Sequence, residues 1–529
     1  MKKTNTGKKA TRALFAGAAL MTLAPQLRAQ STSDALIDKL EQKGILSATE
    51  AKELRSESAE TETNMINRLP AAKWRLSDSI KKIDLYGDVR LRYEYRGVEN
   101  PTPNAPALGG PTSGSTGSTY QRERFRYALR VGLRGDLLDD FNYGIRLETS
   151  SNPRSPWVTF ADDTGKSTST APGAPGTYGT PTDKSSDGIN VGQVFLGWHP
   201  ADWFEITAGK MPMPLYTTPM VWDSDINPEG AFEKFKYSVG DFDLFADFGQ
   251  FDYQNPTATT QIPSGDTFLL AWQLGGVVKF GKDMFFKIAP VVYNYVGHGN
   301  PTLPGAVPNY NSLYYSFIGQ GDNFGLNGTY NQVGINDLLV LEIPLEFDFK
   351  IHDTPLGTVQ ARLFGDVGYN FEGDDRARAA YEDAAGPNLG PGIAFPGVSS
   401  PVTGQNKAYQ VGLGIGSKGP VYGPTQGLDY GSTSKKNTWE ARFYWQHIEQ
   451  YALDVNLIDS DFFEGRGNLQ GFYTAFAYSF TDAIIGTVRY GYAERIKSGL
   501  GTGGSNLDIP NINPINNYNL VQLDLTWRF

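Results

Sequence analysis

The chain has no cysteine among its 529 residues and only four histidines. Without cysteine there is no disulfide framework, no thiolate metal site and no cysteine nucleophile. The histidines are scattered without the spacing of metal ligands, and the G-x-S-x-G motif of serine hydrolases is absent. These absences predict a protein that has no metal or other cofactor and that is not an enzyme.

The sequence also lacks a run of about 20 apolar residues, which is the length that a membrane-spanning helix needs. Its mean hydropathy is −0.37, although 13% of its residues are aromatic and 60 are glycine. In a membrane β-barrel only alternate residues touch lipid, so its strands show no long apolar run. The composition therefore excludes a helical membrane protein and leaves a membrane β-barrel open.

The first 29 residues have the pattern of a secretory signal peptide. A basic start is followed by an apolar stretch over 13–24 and by Ala29, a small residue suited to cleavage. Removing 1–29 takes away six basic and no acidic residues, so the formal net charge changes from −10 to −16. Such an acidic balance argues against a nucleic-acid partner.

Residues 30–80 are predicted to form a short periplasmic helical segment with a linker. Leu36, Ile37 and Leu40 share one helical face, and Ser47 and Glu50 have the spacing of a capping box. The sequence does not indicate what this segment contacts.

From Ile83 onwards, apolar residues recur with the period of two that is typical of β-strands. Leu85, Val89 and Leu91, for example, fall on one face, whereas Arg90 and Arg92 fall on the other. Many of the segments are longer than the five or six residues that are usual in soluble sheets. The predicted strands cover residues 83–96, 122–135, 139–150, 188–199, 203–211, 231–239, 241–253, 267–281, 283–297, 336–350, 357–371, 406–417, 437–449, 469–481, 483–496 and 517–529.

The connections between these strands alternate between short and long, as in outer-membrane barrels with short periplasmic turns and long outer loops. The connection 418–436 is an exception, since a short turn is expected there. We therefore predict an all-β fold, a transmembrane antiparallel β-barrel of about 16 strands over residues 81–529. A barrel of sixteen strands leaves room for an aqueous channel.

Several stretches are similar to segments of one protein family. They are 208–214 followed by 221–230, 459–462 followed by the strand 472–480, and 40–46 followed by 50–54. These stretches resemble the bacterial putative porins of outer membranes. The resemblance implies a passive diffusion pore in an outer membrane of the Gram-negative type, without implying a particular solute.

One acidic stretch allows three interpretations. Asp223, Asp225 and Asn227 place oxygen atoms at alternate positions, as in calcium loops, but Pro228 and Lys234 stand where an EF-hand has glycine and glutamate. The stretch could also be a solvated loop, or it could narrow the pore. We favour the last interpretation, because a third long loop folds into the lumen of general porins.

On this hypothesis, loop 212–230 carries acids that face arginines of the first strands across the pore. Five further acids line a more negative sector, namely Asp243, Asp247, Glu342, Glu346 and Asp348. The predicted pore-lining residues are Arg90, Arg92, Arg124, Arg126, Arg130, Arg146, Asp223, Asp225, Glu229, Glu342 and Glu346. Small hydrophilic solutes and ions would pass by diffusion. A substrate-selective porin for anions or sugars, and a structural or adhesive barrel, are the alternatives.

The last predicted strand ends with Trp527 and Phe529. A terminal aromatic residue on an amphipathic last strand resembles the signal that the barrel assembly machinery reads, so these two residues are predicted to direct assembly. Outer-membrane lipids would be the other partners of the barrel. Porins of this size are often homotrimers, but the sequence does not determine the oligomeric state.

Overall fold

The structure is a computed structural model, and it describes the parts of the chain that carry the strands. The described residues are 40, 43, 47, 49–50, 77, 79–99, 119–150, 155–160, 188–254, 267–297, 337–378, 400–417, 435–498, 500–502 and 515–529. The predicted signal peptide, most of the predicted helical segment and residues 418–434 of the predicted connection 418–436 lie outside them. The chain divides into two compact units, Met1–Asp78 and Ser79–Phe529.

In the first unit, Ser47 and Glu50 make the reciprocal hydrogen bonds of a capping box. The Ser47 N–H and hydroxyl donate to Glu50 Oε2 at 2.8 and 2.7 Å, and the Glu50 N–H donates to Ser47 Oγ at 3.3 Å. This is the arrangement that starts many helices. Among the described residues, no helix is long and apolar enough to cross a membrane.

In the second unit, the described residues form sixteen antiparallel strands. The strands are β1 Asp84–Glu99, β2 Thr119–Asp136, β3 Phe141–Thr149, β4 Ile189–Ala201, β5 Phe204–Lys210, β6 Glu229–Val239, β7 Phe242–Gln254, β8 Thr267–Phe280, β9 Met284–Ile288 with Val291–Gly297, β10 Leu339–Glu342 with Leu345–Thr354, β11 Gly357–Asn370, β12 Lys407–Gly416, β13 Trp439–Ile448, β14 Leu469–Ser479, β15 Ile484–Arg495 and β16 Asn517–Arg528. A further short segment, Val158–Thr159, pairs with β2.

Each strand pairs with its neighbours in the chain, and β1 pairs with both β2 and β16. Leu91, for example, lies opposite Tyr127 on one side and Leu525 on the other. The sheet is therefore closed and leaves no unpaired edge. This confirms the predicted antiparallel barrel of sixteen strands.

Proline interrupts the ladder in two neighbouring strands. Pro290 divides β9 and Pro344 divides β10, because proline has no N–H to donate to the ladder. The register is the same on both sides of the first interruption, since Ile288 lies opposite Gly276 and Val291 lies opposite Gln273. Each divided strand therefore remains one strand of the barrel wall.

The side chains of the wall alternate between an apolar outer face and a polar inner face. Leu85 and Leu523 are 48% and 46% exposed, whereas Arg90 and Asp524 are 8% and 7% exposed. Leu129 lies on the outer face between the buried residues Ala128 and Arg130. This pattern, with apolar side chains exposed and polar side chains buried, is the reverse of that in a soluble protein. It fits a barrel whose outer face touches lipid.

Two connections at the long-loop end of the barrel are buried inside it. The first inner loop, residues 211–228, joins β5 to β6 and buries Leu215 and Met220 completely. The second inner loop, residues 449–468, joins β13 to β14 and buries Tyr451 and Ile458 almost completely. These loops bring polar side chains into the barrel lumen.

Candidate functional site

The first inner loop is attached to the wall by buried carboxyl groups. Glu342 on β10 accepts hydrogen bonds from the Thr217 hydroxyl at 2.7 Å and the Thr218 N–H at 3.2 Å. The Thr218 hydroxyl donates to Asp366 Oδ2 on β11 at 2.5 Å. The Gln273 side chain also bonds the Tyr216 N–H and C=O, both at 2.8 Å. The loop is therefore hydrogen-bonded to β8, β10 and β11.

Aromatic packing and an ion pair attach the second inner loop to the wall. Phe462 lies against Tyr444 and Tyr473, with ring centroids 6.0 and 5.3 Å away. A Cβ at Gly491 would lie 2.7 Å from the Phe462 ring, so the glycine makes room for it. Glu464 adds an ion pair to Arg96 at 3.3 Å. This loop is thus fixed to β1, β13, β14 and β15.

The two inner loops contact each other through a repeated Asp-Ser-Asp sequence, at 223–225 and at 459–461. The Ser460 N–H and hydroxyl donate to Asp223 Oδ2 at 3.0 and 2.8 Å, and the Asp459 N–H donates to the Pro219 C=O at 3.0 Å. Burial and the neighbouring carboxylates of Asp223 and Asp461 raise the pKa of Asp459 well above its ordinary value. The contact therefore favours a neutral carboxyl at this position.

A small polar cavity of about 20 Å³ lies where the two loops face β1 and β15. Its lining includes three arginines and four aspartates, so charges of both signs meet in a small volume. The lining residues are Arg90, Arg92, Trp157, Asp223, Ser224, Asp225, Asp459, Ser460, Asp461 and Arg489. Charges of opposite sign at such short distances produce a strong local field in the cavity.

Arg92 is bonded to two aspartates at this cavity. It makes two hydrogen bonds to Asp524, at 2.8 and 2.9 Å, and donates to both carboxylate oxygens of Asp461 at 2.8 and 3.0 Å. Its guanidinium carbon lies 3.9 Å from the centroid of the Trp157 ring. Burial alone would raise the pKa of Asp461, but Arg92 and Arg96 lower it below its ordinary value.

The other predicted arginines lie on the inner wall and are paired with acids there. Arg124 and Arg126 face Glu94, with Arg126 at 3.6 Å. Arg130 donates to Asp88 at 2.8 Å and lies 3.6 Å from Asp225. Arg146 pairs with Glu148 at 2.9 Å. Of the six predicted arginines, the cavity includes Arg90 and Arg92 in its lining, and Arg130 reaches it through Asp225.

Three predicted acids lie away from this cavity. Glu229 is the first residue of β6, is largely exposed and pairs with Lys210 at 3.0 Å. Glu342 serves as the attachment of the first inner loop described above, and Glu346 pairs with Arg362 at 3.2 Å. The structure therefore brings Asp223 and Asp225 to the cavity but not Glu229, because the loop ends and β6 begins at that residue.

Sequence reasoning missed half of the cavity. Arg489, Asp459 and Asp461 line it, and Trp157 reaches it because the adjacent segment Val158–Thr159 pairs with β2. The repeated Asp-Ser-Asp sequence is the signal that could have indicated the second inner loop. No local pattern marks Trp157.

Among the described residues, no group of three or more His, Cys, Asp or Glu side chains is placed to hold a metal ion. The oxygens of Asp223 accept hydrogen bonds from Ser460 and from the Asp225 N–H at 2.9 Å, and an arginine lies beside Asp225. The chemistry of this cluster is that of ion pairs and hydrogen bonds.

The two aromatic residues at the end of β16 lie at the seam with β1. The Phe529 and Gly87 backbones exchange hydrogen bonds of 3.0 and 3.1 Å, and the Phe529 ring covers Gly87. Its ring centroid is 5.3 Å from that of Trp527. Both side chains are more than 40% exposed on the outer face. Their role in assembly stays a prediction.

Solved structures of outer-membrane channels are similar to this chain. The outer membrane channel DcaP of Acinetobacter baumannii has 12% sequence identity, with 87% of this chain and 100% of that chain covered and a TM-score of 0.37. An anion-selective porin from Comamonas acidovorans has 10% identity, coverage of 85% and 99%, and a TM-score of 0.35. OmpF of Salmonella typhi, in complex with daunomycin, has 10% identity, coverage of 86% and 99%, and a TM-score of 0.37.

A search of curated proteins finds no match to the chain. A family model described as putative porin matches residues 69–529, which include every strand of the barrel. Because this match covers most of the sequence, the chain belongs to the putative porin family.

Proposed function

We propose that this porin is a passive channel through which small hydrophilic solutes and ions diffuse across the outer membrane. The observation that carries the proposal is the charged cavity inside a closed barrel, between the arginines of β1 and β15 and the two inner loops. A solute that enters must exchange water for contacts with these groups. Polar solutes can make that exchange, whereas apolar solutes cannot.

The wall supports the same function. Its outer face is apolar and its inner face is polar, so lipid covers the outside while water can fill the lumen. By the usual asymmetry of such barrels, the short turns face the periplasm and the long connections face outwards. Both inner loops then enter the lumen from the outer side, and a solute meets the cavity between them.

Further elements of the proposal concern localisation and partners. The channel would lie in an outer membrane of the Gram-negative type, be inserted by the barrel assembly machinery and assemble as a homotrimer. Residues 30–80 would form a periplasmic segment and residues 81–529 the pore. Passive diffusion needs no cofactor and no covalent step, so the proposed activity is not enzymatic.

Single-channel recording tests the proposal. Purified protein inserted into a planar bilayer should produce stepwise, ohmic conductance in potassium chloride. Liposomes that contain it should swell in neutral solutes of small size and not in larger ones. Folded, inserted protein that neither conducts ions nor admits any small solute would contradict the proposed function.

A further inference from the structure

Asp461 is the most accessible member of a buried charge network. Its side chain is 25% exposed, whereas the side chains of Arg92, Arg96 and Asp524 are at most 2% exposed. Asp461 lines the cavity, and both its carboxylate oxygens accept hydrogen bonds from Arg92 NH1. It therefore stands between this guanidinium and the lumen.

Arg92 does not depend on Asp461 for its position. Asp524 binds its Nε and NH2 atoms, and the Trp157 ring lies against the guanidinium plane at 3.9 Å. Without the Asp461 carboxylate, Glu94 at 3.8 Å would be the one acid that the described part of the chain leaves near NH1. Neutralising Asp461 should thus uncover a fixed positive charge and leave it in place.

The second inner loop does not depend on that ion pair either. Phe462 is held between Tyr444 and Tyr473, Glu464 pairs with Arg96, and the Tyr518 hydroxyl donates to the Asp461 C=O at 3.2 Å. These contacts involve the backbone and neighbouring side chains. An isosteric change at Asp461 should therefore alter charge without moving the loop.

We propose that Asp461 determines the charge selectivity of the channel, because it covers the Arg92 guanidinium at the cavity between the two inner loops. The proposal rests on the proposed function and assigns a role in selectivity to the second inner loop. The cavity lining has balanced charge, with three arginines against three aspartates besides Asp459, whose neutral form the contact between the loops favours. Neutralising one of these three carboxylates therefore makes the net charge of the lining positive.

The test is the reversal potential of the Asp461→Asn variant in a potassium chloride gradient at neutral pH. For an ion about 8 Å away, removing one charge changes the local concentration roughly 2-fold at a dielectric constant of about 80 and roughly 30-fold at about 20. The anion concentration rises and the cation concentration falls by this factor, so we expect the anion-to-cation permeability ratio to rise by roughly 4-fold to 900-fold. The shift should shrink near 1 M salt, where the Debye length is about 3 Å.

Two variants serve as matched controls. Asp461→Glu keeps the charge and should keep the wild-type reversal potential. Asp454→Asn removes an acid from the same loop. Asp454 accepts a hydrogen bond from the Tyr253 hydroxyl at 2.6 Å and does not line the cavity, so this variant should keep the wild-type selectivity.

Because the chain has no cysteine, Asp461→Cys offers a second test on folded protein. A methanethiosulfonate reagent that carries a sulfonate should restore the wild-type potential, and one that carries an ammonium group should increase the shift towards anions. If wild-type protein conducts and Asp461→Asn has the same selectivity at low salt, the inference is wrong although the proposed function stands. If wild-type protein does not conduct, the proposed function itself fails.

Discussion

Replacing Thr217 and Thr218 with valine should release the first inner loop from the barrel wall. The change keeps the shape of both side chains but removes the hydroxyls that donate to Glu342 and Asp366. A hydrogen bond contributes about 0.5–1.5 kcal/mol net, so the two together contribute roughly 1–3 kcal/mol. The Gln273 hydrogen bonds to Tyr216 remain and hold part of the loop.

A loss of that size has a measurable consequence for the loop. Since about 1.4 kcal/mol corresponds to a factor of ten, the population of detached loops should rise by roughly 5-fold to 140-fold. Met220 is completely buried, so a Met220→Cys reporter should react slowly with a maleimide that cannot cross the membrane. In the double valine variant, the labelling rate should rise in proportion to the detached population.

The control for this experiment is Thr487→Val in the same reporter background. Thr487 is a buried threonine on the inner face of β15, outside both inner loops. It should leave the labelling rate unchanged. Equal labelling of the double valine variant and the control would refute the reasoning that these hydroxyls hold the loop.

Three further predictions concern selectivity, pH and closure of the barrel. Asp223→Asn with Asp225→Asn should shift the reversal potential at low salt in the direction of anion selectivity, since both carboxylates line the cavity. An unchanged reversal potential would show that the ions do not pass these carboxylates. The raised pKa of Asp459 means that the contact between the inner loops is strongest below the ordinary aspartate pKa of about 3.9 and weakens as pH rises through the raised value. Open-channel noise should increase over that rise, and Asp459→Asn should remove the pH dependence; noise that is independent of pH in the wild type would contradict this. Gly87→Ala should destabilise the seam by about 1–3 kcal/mol, because its Cβ would lie 2.3 Å from the Arg130 C=O and 2.6 Å from the Phe529 ring. In Gly365→Ala, the added Cβ would lie no closer than 3.5 Å to another atom, so this variant should be destabilised much less. The unfolding temperature of the folded barrel on heated gels measures both effects. Equal effects of the two variants would contradict the close packing at the seam.

The barrel could be predicted from the sequence because its physical signal is local. Each strand alternates between lipid and lumen, so residues such as Leu85 and Arg90 show the period of two without any knowledge of their partners. The interruptions at Pro290 and Pro344 were not predicted, although both prolines are visible. Register is maintained across the first break by the neighbouring strand, which is a tertiary effect.

The cavity could be predicted only in part, since it depends on which connections turn inwards. The acids Asp223 and Asp225 were predicted to face arginines, and the structure places them near Arg90, Arg92 and Arg130. The second inner loop was missed, because its inward path depends on Phe462 fitting between rings of two strands and above Gly491. Such packing has no signature in the loop sequence alone.

Modification of a single cysteine at Ser224 tests the central claim most directly. Ser224 lines the cavity and is exposed, and the chain has no other cysteine to react. A bulky methanethiosulfonate reagent should lower the single-channel conductance of Ser224→Cys in one step. The same reagent on Val488→Cys, which is 50% exposed on the outer face, should have no effect. If mass spectrometry shows complete modification of Ser224→Cys and the conductance is unchanged, the cavity between the inner loops is not the path of the ions.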